Sequence, residues 1–109
     1  MSMTTIDAKA PVITLINVFE VEASNQDALI QLLEAATLEV MQHLPGFVSA
    51  NIHRGLDGKH VANYAQWASE EDFKRMLANP KAQEHMRRVE QIARAQPGLY
   101  RVASIAHST

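Results

Sequence analysis

The stretch Lys59-His60-Val61-Ala62-Asn63-Tyr64-Ala65-Gln66-Trp67-Ala68-Ser69 decides how the chain is read. Val61, Asn63, Ala65 and Trp67 share one parity, while His60, Ala62, Tyr64 and Gln66 share the other. Successive side chains of a strand point to opposite faces, so Asn63 and Trp67 are expected on one side of a sheet, roughly 13 Å apart. That spacing leaves room for a flat polycyclic ligand between an amide and an indole. Asp57-Gly58 just before the stretch is a hairpin turn signal. Ser69, with Asp72 three residues on, marks a helix start in the manner of a capping box, with Asp shorter than the usual Glu or Gln. The strand is therefore read as the floor of a pocket.

Upstream, Phe47 to Arg54 alternates Val48, Ala50 and Ile52 against Ser49, Asn51 and His53. With the turn Gly55-Leu56-Asp57-Gly58 it predicts an antiparallel hairpin. Before it, Leu29, Leu32, Leu33, Ala36, Val40 and Leu44 follow helical spacing, predicting an amphipathic helix from about Asn25 to His43 that Pro45-Gly46 ends. Ser24 and Asp27 repeat the Ser-x-x-acid start signal. Val12 to Val21 is β-branched and apolar at both parities, with Val12, Ile16 and Val18 on one side and Ile13, Leu15, Phe19 and Val21 on the other. A strand apolar on both faces must be covered on both, and in so short a chain the helices can cover one. A second copy of the chain is the expected cover for the other. Residues 1–10 are polar and aperiodic and are read as a flexible arm; the domain is expected to run from residue 11 to 109.

Downstream, Glu70 to Leu77 predicts a short helix with Phe73, Met76 and Leu77 inward. Asn79-Pro80 is an N-cap followed by proline at the first helical position. Lys81 to Ala95 then carries Met86, Val89, Ile92 and Ala93 on one helical face. Gln96-Pro97-Gly98 is read as a breaker and Leu99 to His107 as the last strand. Strand, helix, strand, strand, helix, strand, with the helices on one face of a four-stranded antiparallel sheet, is an α+β, ferredoxin-like βαββαβ domain. Stacking two such sheets under two-fold symmetry would make an isologous dimer.

Bulk properties narrow the function. The chain has 109 residues and no cysteine, so thiolate catalysis, disulfides and cysteine-ligated metal are excluded. A formal charge of −2 gives no electrostatic reason to expect nucleic acid or an anionic membrane. Met1 to Lys9 has neither the basic nor the apolar part of a secretion signal, and no apolar run reaches the roughly 20 residues of a spanning helix. A cytoplasmic protein is expected.

The candidate chemistry starts with Asn63 and Trp67. An amide on the apolar side of a central strand must find partners, and pockets combine apolar walls with a few placed polar groups. Of the histidines His43, His53, His60, His85 and His107, His53 and His60 flank the hairpin and could approach one another, a weak metal signal without a placed carboxylate. His85, beside Met86, could face the pocket as a general base. Arg75, Arg87, Arg88 and Arg94 lie among acidic residues, and Glu84 precedes Arg88 by the four residues that suit an exposed helix pair. Arg87 is the arginine singled out. No nucleophile elbow, phosphate loop, dinucleotide fingerprint or His-Glu-x-x-His motif is present.

Leu44-Pro45-Gly46-Phe47-Val48-Ser49-Ala50, Asp57-Gly58 and Ala62-Asn63-Tyr64-Ala65-Gln66-Trp67-Ala68-Ser69 together resemble the antibiotic biosynthesis monooxygenase family, closest to its quinone-forming branch of the actinorhodin type. The resemblance runs from Pro11 to His107. It implies a homodimer of ferredoxin-like subunits, a dimeric α+β barrel. It also implies oxidation of an aromatic anthrone or quinol to a quinone by O2, with no cofactor and no metal. The family's pocket asparagine falls on Asn63 and its tryptophan on Trp67, both binding substrate oxygens, and a helical arginine falls on or next to Arg87. A family tyrosine falls on Phe73, which lacks the hydroxyl. Asn63, Trp67 and Arg87 are thus the catalytic candidates, and Asn63, Trp67, Phe73 and His85 the substrate-binding ones. Two other readings are a dimer that binds a small aromatic without turning it over, and a haem-binding or haem-degrading protein. For the latter, Asn17 and His85 fall near two positions of a haem-degrading branch, but its helical tryptophan is missing from Lys74-Arg75-Met76-Leu77.

Overall fold

A computed structural model describes residues 3–109. Its strands are β1 (Ile13–Val21), β2 (Phe47–Arg54), β3 (His60–Trp67) and β4 (Ala93–Tyr100), and its helices α1 (Gln26–Glu39), α2 (Glu70–Leu77) and α3 (Pro80–Glu90). The sheet order is β2-β3-β1-β4 with every neighbouring pair antiparallel. This is the ferredoxin-like α+β arrangement expected from the sequence.

One face of the sheet carries the core. Its side chains come from the odd positions of β1 and β3, which the register sets directly opposite one another: Leu15 with Ala65, Asn17 with Asn63, Phe19 with Val61. They pack in two buried clusters. Leu15, Ala65 and Trp67 meet Val40, Phe73, Met76 and Ala82, while Phe19, Val21 and Val61 meet Leu29, Leu33 and Val89. Each fully buried large apolar side chain contributes about 1.5–3 kcal/mol, so the sheet–helix interface dominates the stability.

Local signals act where side chains can reach backbone donors. Ser69 Oγ accepts from the Asp72 N–H at 3.1 Å and donates to Asp72 Oδ2 at 2.9 Å, so Ser69 caps α2 as predicted while the short Asp72 side chain meets its hydroxyl and not its backbone N–H. Asn79 Oδ1 accepts from the Lys81 and Ala82 amides at 2.9 and 3.0 Å, with Pro80 opening α3. At α1 the predicted Ser24–Asp27 box does not form. A 3-10 turn, Ala23–Asn25, precedes the helix, and its N-cap Asn25 makes no side-chain cap bond. Instead the buried Gln26 donates to the carbonyls of Gly55 and His60 at 2.9 and 3.0 Å, and Asp27 pairs with Arg54. The helix start is thereby tied to the β2–β3 hairpin. Gly46, at φ +82°, lets the turn into β2 pass so close to Asp72 that a Cβ there would collide with its side chain.

The last strand departs from expectation. It is Ala93–Tyr100, not Leu99 to His107, and α3 stops at Glu90. Ile92 and Ala93 suit helical spacing after Val89, but Ala93, Ala95, Pro97 and Leu99 also alternate, and pairing with β1 selects that period. Pro97 is tolerated because β4 is an edge strand.

On the other face of the sheet, Gln66 accepts from Ser49 Oγ at 3.0 Å and donates to the Thr5 carbonyl at 2.7 Å, while Thr4 Oγ1 donates to Asn51 at 2.9 Å. Thr4 and Thr5 thus touch the sheet from a segment, residues 3–10, that forms no helix or strand; residues 1–2 of the expected arm lie outside the described residues. Ile16 and Tyr64 on this face are half-buried and Val18 is exposed. No helix among the described residues is long and apolar enough to cross a membrane.

Candidate functional site

A cavity of about 410 Å³ lies between the core face of the sheet and the three helices. Asn17, Asn63 and Trp67 are on its floor, and Phe73, Met76, His85 and Met86 belong to its helical wall. Ala95, Pro97 and Leu99 on β4, with Leu77 and Glu90 on the helices, are exposed lining residues, so the cavity opens between the edge strand and the helices. Its volume falls within the roughly 300–1,000 Å³ range usual for small-molecule sites.

The aromatic end is rigid. Trp67 is 2% exposed, held edge-on by Phe47 (centroids 5.5 Å, 88°) and by Phe73 (6.4 Å, 70°). Such T-shaped contacts bring positive ring edges to negative faces and set the orientation of the indole. Phe73 lines the cavity without a hydroxyl.

The polar end sits where the two apolar clusters part. Asn17 and Asn63 face each other across β1 and β3. Asn17 Oδ1 accepts from the Gln96 N–H at 3.1 Å, next to Pro97, which has no N–H for the ladder. That bond fixes the Asn17 amide and leaves its N–H2 as the donor it has to offer. Asn63 Oδ1 is buried with no hydrogen-bond partner. An orphaned buried acceptor costs about 1–3 kcal/mol. In a cavity lined chiefly by apolar groups, it is an acceptor able to receive a hydrogen bond from a donor placed there.

His85 is 9% exposed on the cavity wall, in the buried stripe Ala82, His85, Val89 of α3, and its Nε2 lies 3.4 Å from Glu39 Oε2 at the end of α1. Four of the residues singled out from sequence, Asn63, Trp67, Phe73 and His85, are therefore together around one cavity. Arg87 is not among them: it is exposed on α3 and absent from the lining, because the i, i+3, i+4 face that packs inward is that of residues 82, 85 and 89. Arg88 pairs with Glu84 at 2.8 Å, as its spacing predicted.

His53 and His60 do not meet. His53 lies opposite Ala62, and His60 Nδ1 bonds Asp57 Oδ2 at 2.6 Å. The Lys59 amide and His60 hold the Asp57 carboxyl below its ordinary range. Among the described residues no three His, Asp or Glu side chains gather as a metal site would need. Sequence reasoning missed Asn17 as the cross-strand partner of Asn63, although it shares parity with Leu15 and Phe19. It also missed Glu39, for which no sequence signal existed.

If Asn63 serves a ligand and not the fold, Asn63→Leu should leave the urea midpoint unchanged or raise it, since an unpaired acceptor is replaced by an apolar group of similar size. The same change should weaken binding of a hydroxylated anthraquinone by ten-fold or more, measured by tryptophan fluorescence quenching. A destabilised variant with unchanged affinity would assign Asn63 to the core alone.

The sequence and the fold have relatives among known proteins. Residues 12–88 match the family model described as antibiotic biosynthesis monooxygenase. The chain is 42% identical over 95 residues to tetracenomycin-F1 monooxygenase of Streptomyces glaucescens, covering 87% of this chain and 85% of that protein. The crystal structure of a monooxygenase from the gene ActVA-Orf6 of Streptomyces coelicolor, in complex with nanaomycin D, superposes with a TM-score of 0.72 at 27% identity, over 93% of this chain and 96% of that one. SnoaB, a cofactor-independent oxygenase from Streptomyces nogalater, shares the fold with a TM-score of 0.72 at 23% identity, over 88% and 97% of the two chains. With the family model spanning most of its length and a relative at this identity, the chain belongs to the antibiotic biosynthesis monooxygenase family.

Proposed function

We propose that this protein is a cofactor-independent monooxygenase that oxidises a hydroxylated polycyclic aromatic, an anthrone or quinol, to a quinone with O2. The observation that carries the reading is the unpartnered Oδ1 of Asn63 inside a cavity whose other end is the fixed indole of Trp67. The 42% identity to tetracenomycin-F1 monooxygenase and the binding of nanaomycin D by the ActVA-Orf6 monooxygenase support the substrate class.

The chemistry asks little of the protein beyond position, charge and proton handling. Removing a proton from the anthrone methylene gives an electron-rich enolate. One electron passes to O2, and the resulting radical and superoxide combine at the same carbon to give a peroxide, which takes up a proton. Loss of water with the remaining C–H proton leaves the quinone carbonyl. One oxygen atom enters the product, the other leaves as water, and the substrate itself supplies all four electrons.

Each side chain has a task in that sequence. Asn63 accepts from a substrate hydroxyl, and its amide, turned about χ2, presents N–H2 to the enolate oxygen. The anchored N–H2 of Asn17 stabilises the same negative charge from the neighbouring strand. Trp67, Phe73 and Phe47 hold the ring system in one plane, so that O2 meets a fixed carbon. Phe73 offers packing where the family's tyrosine would offer a phenol. The activity is placed in the cytoplasm.

Metal-free, flavin-free protein should consume O2 with dithranol and release the quinone. Asn63→Ala should lower kcat by ten- to a hundred-fold, and Trp67→Ala should abolish binding. Uptake no faster than the spontaneous rate, with tight binding of the aromatic retained, would favour a binding protein that does not turn its ligand over.

The same reading includes a homodimer. Ile16, Val18 and Tyr64 form an apolar strip on the face that the helices leave uncovered, whereas the solvated face of an antiparallel sheet is ordinarily polar, so a cover is called for. Sedimentation at micromolar concentration should give twice the 12.1 kDa chain mass. A folded 12.1 kDa species would refute the stacked-sheet assembly.

A further inference from the structure

We infer that His85 is the base that takes the substrate proton and that Glu39 is its positioning residue; the inference rests on the quinone-forming reading above. His85 and Glu90 are the ionisable side chains among the cavity lining, and of these His85 is buried and Glu90 exposed. A buried imidazole on a mostly apolar wall, where the mechanism needs a proton acceptor and Phe73 cannot supply a phenol, is placed for that step.

Glu39 reaches His85 from a different element. It is the last residue of α1, and its Oε2 lies 3.4 Å from His85 Nε2. The carboxylate side chain is 65% exposed while that of the imidazole is 10% exposed, so the pair joins the cavity to solvent. A carboxylate on one ring nitrogen selects the tautomer with the proton on that side. Nε2 is the ring nitrogen beside Glu39, at ion-pair and not hydrogen-bond geometry, and a proton held on that side leaves the lone pair of Nδ1 as the basic site. When the ring takes a proton, it does so with the Glu39 carboxylate as its neighbour.

The substrate C–H or O–H bond breaks with its electron pair staying on the substrate, Nδ1 holds the proton while the enolate reacts with O2, and the same proton is returned to the peroxide oxygen. No external reductant or acid is consumed.

Oxygen uptake with dithranol tests this on the full-length protein. His85→Gln should lower kcat by about a hundred-fold or more, the scale of general-base catalysis, with KM changed by less than about three-fold. Imidazole added to His85→Ala should restore part of the rate. Glu39→Gln should lower kcat about ten-fold at unchanged KM, and Glu39→Asp should recover part of that loss. The deficit of His85→Gln should shrink as pH is raised until dithranol ionises by itself, because the base is then redundant. Wild-type kcat in His85→Gln overturns the assignment while leaving the monooxygenase reading intact. If the His85 variants do not fold, the exposed Glu39 decides: an unchanged kcat in Glu39→Gln overturns the pair. Wild-type protein with no activity on dithranol overturns the quinone-forming reading, and the base with it.

Discussion

Two amides in the middle of an apolar sheet face are the constraint on which the site depends. Along β1 the core-facing positions read Ile13, Leu15, Asn17, Phe19, Val21, and along β3 they read Val61, Asn63, Ala65, Trp67. The register aligns the two interruptions, Asn17 against Asn63. Apolar helix side chains cannot satisfy those amides, so the core divides into one cluster around Trp67 and another around Val61, and the cavity lies at the seam. An all-apolar face would bury more and leave no site. The orphaned Asn63 acceptor is a local cost of about 1–3 kcal/mol that the fold carries and a ligand can relieve.

Much of the fold was legible because the signals were strong and mutually consistent. Period-two alternation in β2 and β3, the turn before Lys59 and the caps at Ser69 and Asn79 each point to the same architecture. The failures share one physical origin: tertiary contacts decided between local options. Ile92 and Ala93 fit a helix or a strand equally, and only the free edge of β1 selects the strand. Ser24 has the chemistry of a cap, yet Gln26 and Asp27 find partners on the hairpin and the chain enters α1 through a 3-10 turn instead.

The site was legible to the extent that it lies on regular elements. Parity put Asn63 and Trp67 together, helical spacing carried Phe73 inward, and His85 was legible only as a neighbour of Met86 able to face the pocket. Arg87 illustrates the limit: one step of helical register, about 100°, separates a wall position from solvent, and the buried stripe 82, 85, 89 excludes it. Asn17 required the strand register and Glu39 the packing of α1 on α3, neither of which a linear reading supplies. In the proposed reaction, aromatic side chains and amides in this arrangement provide shape and hydrogen bonding, and the substrate's own electrons provide the reducing power.

Oxygen-18 labelling follows where each atom of O2 goes. Protein stripped of metal and flavin, given dithranol under 18O2, should yield quinone carrying one labelled oxygen, with the second label in water. Unlabelled quinone, or labelling that depends on an added metal or flavin, would contradict an oxygenation carried out by this cavity alone.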